Sequence, residues 1–190
     1  MHYKALMEPD DAHLLEAVTA VVCRYGMKRT TMAELALAGG VSRQTLYDRF
    51  RDKDGIMAAA IDLIASRVCS DLRAAFAEES DLARNLESYF RIGIWPTYEM
   101  MQAMPDAADF ERGLGPASTA ASRRVGEEKE LILAELLRKH LPPTAPPPEQ
   151  VASFFEQSSC RAKMSGMARE DLERFLSVLK SSVLALCGTS

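Results

Sequence analysis

Apolar residues recur along this chain at spacings of three and four, the period of α-helices buried on one face. Leu14, Leu15, Val18, Val21 and Val22 form the first such stripe, on a helix capped by Asp10 or Asp11, reaching about Tyr25 and ended by Gly26. A short helix from about Thr31 turns Leu35 and Ala36 inward and ends at Gly39 and Gly40. Leu46 and Phe50, four apart, share the buried face of another, from Arg43 to Phe50. Ile56, Ala60, Leu63, Ile64 and Val68 mark the inner face of a long helix from Asp52 to Glu79, with a break expected near Ser70. Asp81 to Ala103 is a fifth helical segment, which Pro96 should bend or break. Pro105 to Leu114 reads as a short helix or turn, and Pro116 to Leu141 as a long helix with a charged middle and an apolar end. A stiff proline-rich connector, Pro142 to Pro148, leads into helices at Pro148–Met164 and Arg169–Cys187. The pattern predicts an all-α fold. An N-terminal three-helix helix-turn-helix domain would span residues 1–52 and a C-terminal helical bundle residues 53–190.

The segment from Thr30 to Lys53 carries the densest local signals. Thr31 and Glu34 have the spacing of a capping box, in which each side chain satisfies a backbone N–H near the other. A glycine in the pair at 39 and 40 supplies the left-handed conformation of a helix end, and Ser42 is a suitable N-cap for the next helix. With Leu46 and Phe50 inward, Gln44, Tyr47 and Asp48 point outward, and Arg43 and Thr45 flank the helix start. Arg suits guanine and Gln suits adenine, because each can make two hydrogen bonds to one base edge in a major groove. Tyr47 and Lys53 suit phosphates, Lys53 because it would stand at the positive end of the following helix.

Charge strengthens this reading. The formal net charge of the 190-residue chain is −4. Between Arg24 and Lys53, however, Arg24, Lys28, Arg29, Arg43, Arg49, Arg51 and Lys53 face only Glu34, Asp48 and Asp52. A basic patch on an otherwise acidic chain is a focused footprint for nucleic acid.

Other chemistry finds little support. Cys23, Cys69, Cys160 and Cys187 are widely spaced and read as reduced thiols of a cytoplasmic protein, and His2, His13 and His140 are scattered, so no metal site is expected. No nucleophile–base pair, phosphate loop or cofactor motif stands out, so no catalytic residues are assigned and the chain is not expected to be an enzyme. No apolar run approaches membrane-spanning length, which predicts a soluble protein.

Residues Arg24 to Ala59 resemble the N-terminal domain of the tetracycline-repressor (TetR/AcrR) family. Tyr25-Gly26, Thr30-Thr31, Leu35-Ala36, Gly40-Val41-Ser42, Thr45-Leu46-Tyr47, Phe50 and Lys53 carry the resemblance. It implies a homodimeric repressor on a palindromic operator in double-stranded DNA, released by a small molecule. It also implies base contacts from Arg43, Gln44 and Thr45, and phosphate contacts from Thr31, Tyr47 and Lys53. Family members often carry His at position 48 or 49, where this chain has Asp48 and Arg49. Asp48 would repel phosphate, and would either accept from a cytosine amine or hold an arginine in place.

The family places its effector in the C-terminal bundle. Tyr89, Trp95, Tyr98, Met101, Met104 and Phe110 are concentrated in one region and would suit a hydrophobic, partly aromatic ligand, although such a stripe also suits ordinary core. Asp106, Asp109 and Glu111 could attract a cationic ligand, solvated loop acids being the alternative. The last helix is apolar over a wide arc, which predicts a homodimer paired through the last two helices as a four-helix bundle, packing of both faces inside one monomer being the alternative. The alternatives are a helical partner-binding protein and a thiol-dependent enzyme.

Overall fold

The structure, a computed structural model, describes residues 9–104 and 112–188; these form α-helices and no strand. The helices are α1 (Pro9–Tyr25), α2 (Met32–Ala38), α3 (Arg43–Phe50), α4 (Lys53–Glu78), α5 (Leu82–Gly93), α6 (Trp95–Ala103), α7 (Pro116–Leu137), α8 (Pro148–Met164) and α9 (Arg169–Leu186). The fold is all-α with an N-terminal helix-turn-helix. Two compact units divide the chain: Met1–Ala65 with Gln102–Arg123, and Ser66–Met101 with Arg124–Ser190.

In the first unit α1, α2 and α3 close over one apolar centre. Leu14, Leu15, Val18 and Val22 bury the inner stripe of α1, against Leu35 and Ala36 of α2, Leu46 of α3, and Ile56, Met57 and Ala60 of α4. α1 approaches the end of α2 closely: a Cβ at position 39 would lie 2.0 Å from Leu14 Cδ1 and would displace the end of that side chain.

The second unit buries Leu72 of α4, Leu86, Tyr89 and Phe90 of α5, Ile132, Leu133 and Leu137 of α7, Phe155 of α8, and Leu172, Leu176 and Val183 of α9. Phe90 and Phe155 stack with centroids 5.3 Å apart, and Tyr89 meets Phe155 edge-on at 5.5 Å. Such pairs add directional preference to burial.

Four boundaries differ from the sequence reading. α1 starts at Pro9, so positions 10 and 11 lie within its first turn instead of capping it. α4 passes through Ser70 without a break, since Cys69 and Leu72 continue its buried stripe. The fifth segment interrupts at Ile94, ahead of Pro96, which falls in the first turn of α6 where a missing N–H costs nothing. α7 ends at Leu137 rather than Leu141, and its last carbonyl accepts from both His140 N at 2.9 Å and Leu141 N at 2.9 Å. Most of the expected Pro105–Leu114 turn region lies outside the described residues.

Candidate nucleic-acid interface

The chain forms α2 and α3 where its caps dictate. At Thr31 the backbone N–H donates to Glu34 Oε2 at 2.7 Å, and Glu34 N donates to Thr31 Oγ1 at 3.3 Å, completing the capping box. These bonds, from the Thr31 backbone first and its hydroxyl second, hold the Glu34 carboxyl below its ordinary pKa. α2 stops at Gly39, and Gly40 takes φ +67°, which lets Val41 N reach back to Ala36 O at 3.0 Å. Ser42 then caps α3, accepting from Thr45 N at 3.0 Å.

A tight turn joins α3 to α4. Arg51 has φ 69° and ψ −54°, and Asp52 N donates across it to Phe50 O at 2.9 Å. This is a γ-turn of the rare positive-φ kind, strained for any residue with a Cβ. Asp52 Oδ1 then accepts from Gly55 N at 2.9 Å and opens α4 one residue later, as the capping pattern predicts.

α3 buries Leu46 completely and leaves Arg43, Gln44, Tyr47 and Asp48 exposed, the division that the helical period requires. Arg43 and Tyr47 make no side-chain hydrogen bond or ion pair among the described residues, so both groups stand ready for an external partner. The Thr45 hydroxyl pairs with Ser42 Oγ at 2.8 Å. Thr31 is committed to the capping box, its hydroxyl donating to Glu34 Oε2 at 2.9 Å.

Three candidates have partners that sequence reading did not assign. Asp48 holds no arginine; its Oδ1 accepts from Gln44 Nε2 at 2.7 Å, one turn back on the same helix. The nearest arginine in sequence, Arg49, reaches instead to Asp11 of α1 at 2.6 Å and acts as a strut between helices. Lys53 Nζ donates to Met27 O and Thr30 O, both at 2.9 Å, bracing the α1–α2 connection with two of its three protons.

One polar node in this unit was missed altogether. Asp54, beside Lys53, accepts from Gly115 N at 2.9 Å, Ala117 N at 2.8 Å, Ser118 N at 3.2 Å and the Ser118 hydroxyl. It caps the first turn of α7 from the first turn of α4. Burial raises its pKa, but the bonds from Ser118, Ala117 and Gly115 together outweigh it, and the carboxyl titrates below its ordinary value.

Of the proposed effector residues, Tyr89, Trp95, Tyr98 and Met101 fall in the second unit and Met104 in the first, while Phe110, like Asp106, Asp109 and Glu111, lies outside the described residues. Trp95 meets Tyr98 edge-on at 5.6 Å, and the Arg169 guanidinium lies 4.7 Å from the Trp95 ring centroid. The Tyr98 hydroxyl donates to Met167 O at 2.9 Å.

Tyr89 is different. It is wholly buried and donates to Glu156 Oε2, while Lys129 Nζ lies 2.8 Å from Glu156 Oε1 and 4.9 Å from the Tyr89 ring centroid. Burial, and then the Glu156 charge, push the Tyr89 phenol well above its ordinary pKa, so it remains a donor. Both ionic partners are nearly inaccessible, with Lys129 2% and Glu156 3% exposed. Among the described residues no group of His, Cys, Asp and Glu is arranged to hold a metal ion.

Residues 14–60 match the family model described as bacterial regulatory proteins, tetR family. An uncharacterized HTH-type transcriptional regulator of Mycobacterium bovis is 40% identical over 60 residues, which take in 32% of this chain and 30% of that protein. The match to such curated relatives thus spans less than a third of their length. Over nearly the whole chain the fold is that of solved regulators. A TetR-family transcriptional regulator from Pectobacterium atrosepticum aligns with a TM-score of 0.63 and 23% identity, covering 97% of this chain and 95% of its own. The fatty acid degradation regulator FadR from Bacillus halodurans aligns with a TM-score of 0.71 and 14% identity, covering 96% of each.

Proposed function

We propose, from the match of residues 14–60 to the TetR-family model, that this chain is a TetR-family regulator that binds DNA sequence-specifically and controls transcription. The observation that carries the reading is α3 itself. A capped helix seated on buried Leu46 turns Arg43, Gln44 and Tyr47 outward from a segment whose local charge opposes that of the chain. Arg43 and Gln44 read base edges, Thr45 supports the helix start beside Ser42, and Tyr47 contacts a phosphate. Thr31 and Lys53 order the ends of the reading unit; the third Lys53 proton is left for a phosphate, and Thr31 reaches one by turning its hydroxyl away from Glu34.

The test is fluorescence anisotropy on DNA from upstream of the gene, against shuffled DNA, over a salt series. Preference for the upstream DNA that survives moderate salt supports the reading; loss of all binding at low salt overturns it. Arg43→Ala should weaken specific binding by about 10- to 100-fold while leaving binding to shuffled DNA within a few-fold.

The chain acts as a homodimer through α8 and α9. Phe154 is 58% exposed on α8, and Val178 67%, Phe175 37% and Leu186 41% on α9. An apolar face of this kind is normally covered, and two-fold pairing of helix hairpins is a way to cover it. Val178→Asp should raise the dimer dissociation constant at least tenfold in sedimentation velocity and weaken operator binding in parallel.

The regulator responds to a small apolar ligand held by Tyr89, Trp95, Tyr98 and Met101, acting through its unequal affinity for two conformations. Repression, relieved by the ligand, is the mode we assign.

A further inference from the structure

The geometry points to Asp48 as a positioning residue that sets which base Gln44 can read; the inference rests on α3 being the DNA-reading helix. Gln44 and Asp48 lie one turn apart on the exposed face of α3, with Gln44 Nε2 2.7 Å from Asp48 Oδ1. A carboxamide alone can rotate by half a turn about its last bond and exchange its donor and acceptor ends. A carboxylate only accepts, so it can pair with the amine end and never with the carbonyl end. Asp48 therefore fixes the polarity of the Gln44 amide. The amine is held toward the C-terminal side of α3, one of its hydrogens is used, and the other hydrogen and the carbonyl oxygen stay available as an adjacent donor and acceptor.

That pair, in one fixed order, matches adenine in the major groove, whose N6 amine donates and whose N7 accepts. A guanine edge presents two acceptors at the same places, so the amide carbonyl would face an acceptor whichever way the amide is turned. Fixing the amide beforehand also removes a rotamer choice that would otherwise be lost on binding. The surroundings agree with this role. Arg49, which might have taken the carboxylate, is drawn away to Asp11, and Arg43 has no partner among the described residues. Asp48 also lowers the positive charge that α3 shows to phosphate, so its contribution to affinity for arbitrary DNA is unfavourable.

These two roles separate by substitution. Asp48→Ala removes both the charge and the acceptor. Asp48→Asn removes the charge and keeps an accepting oxygen, but its amine can also pair with the Gln44 carbonyl, so the amide polarity is only partly held. The measurement is selection from a library of randomised duplex DNA by the full-length protein, followed by anisotropy on the selected duplexes and single-base variants. The wild-type protein should prefer A·T at one position of each half-site, and Gln44→Ala should erase that preference. Asp48→Ala should reduce the same preference at least fivefold and tighten binding to arbitrary DNA. Asp48→Asn should tighten arbitrary binding as far as Asp48→Ala does and leave a preference between those of Asp48→Ala and wild type. Asp48→Ala placed on Gln44→Ala should change the preference no further.

An Asp48→Ala protein with undiminished preference would overturn the inference. So would a loss of preference at a position that Gln44→Ala leaves untouched, which would make Asp48 itself a reader of cytosine. A wild-type protein that selects no sequence at all would overturn the reading of α3, and this inference with it.

Discussion

Glu156→Ala is expected to destabilise the second unit by about 3–5 kcal/mol, the usual cost of stranding one member of a buried ion pair. Among the described residues its carboxylate is the sole hydrogen-bond acceptor for two buried groups, the Lys129 ammonium and the Tyr89 hydroxyl. Removing it leaves a cation and a hydroxyl unpaired inside a cluster of Leu, Ile and Phe side chains. Lys163 makes the matter worse. Burial, and then the positive charge of Lys129, already hold the Lys163 pKa below its ordinary value, and Glu156 is among the groups that oppose this. The alanine variant therefore strands Lys129 and loses a counter-charge for Lys163 at once.

Replacing the whole network should behave quite differently. Lys129→Met with Glu156→Leu takes away both charges, and adding Tyr89→Phe takes away the orphaned hydroxyl. Buried ion pairs replaced together by apolar groups of similar volume are often neutral or stabilising. The triple variant should lie within about 1 kcal/mol of wild type, because the compensated pair contributes little net stability. Urea denaturation followed by circular dichroism separates these cases. A Glu156→Ala midpoint indistinguishable from wild type would mean that water reaches Lys129 and that the pair is not buried in solution.

That network was illegible in the sequence for a physical reason. Lys129 stands in the charged middle of α7, next to Glu127, Glu128 and Glu130, and every one of those residues reads as part of a solvated face. Which of them turns inward depends on where α5 and α8 lie, and no local spacing records that. Arg49 with Asp11, and Asp54 with Ser118, are separated by 38 and 64 positions and were hidden in the same way. What local rules control was readable: the Thr31–Glu34 box, the glycine end of α2, the Ser42 cap and the buried Leu46 face all stand where residue type and helical period put them. The α5–α6 interruption shows the limit of such rules. Proline forbids a helix interior but not a first turn, so Pro96 reports a nearby helix start and leaves its position open by a residue or two. The Gln44–Asp48 bond is an intermediate case. Its four-residue spacing on one helix carries the signal, yet an acid in a basic segment draws attention to arginine first.

Asp54→Ala should cost the first unit about 3 kcal/mol, since it strands donors that a charged acceptor now satisfies. A helix start presents several N–H groups with no partner inside the helix, and α7 finds one for Gly115, Ala117 and Ser118 in a single side chain from α4. Ser118 is fully buried, so its hydroxyl would gain no water in exchange. The fit is close enough that a Cβ at Gly115 would lie 2.5 Å from Asp54 Oδ2, and Gly115→Ala should reproduce part of the loss by pushing the carboxylate away. Asp54→Asn keeps one acceptor oxygen and loses the charge, so its cost should be smaller than that of alanine.

Acid should act on wild type in the direction of those variants. The folded-state pKa of Asp54 is lowered, so its stabilisation is complete above the ordinary carboxylate range and is lost as pH falls through that range toward the lowered folded value. The difference in melting temperature between wild type and Asp54→Asn should therefore be largest near neutrality and shrink on acidification. Because Lys53, the preceding residue, braces the α1–α2 connection, the first turn of α4 fixes both that connection and the start of α7. Loosening Asp54 should thus also weaken DNA binding in a protein that is still folded. A variant melting with the wild type at neutral pH, and binding DNA equally well, would show that α7 starts without this cap.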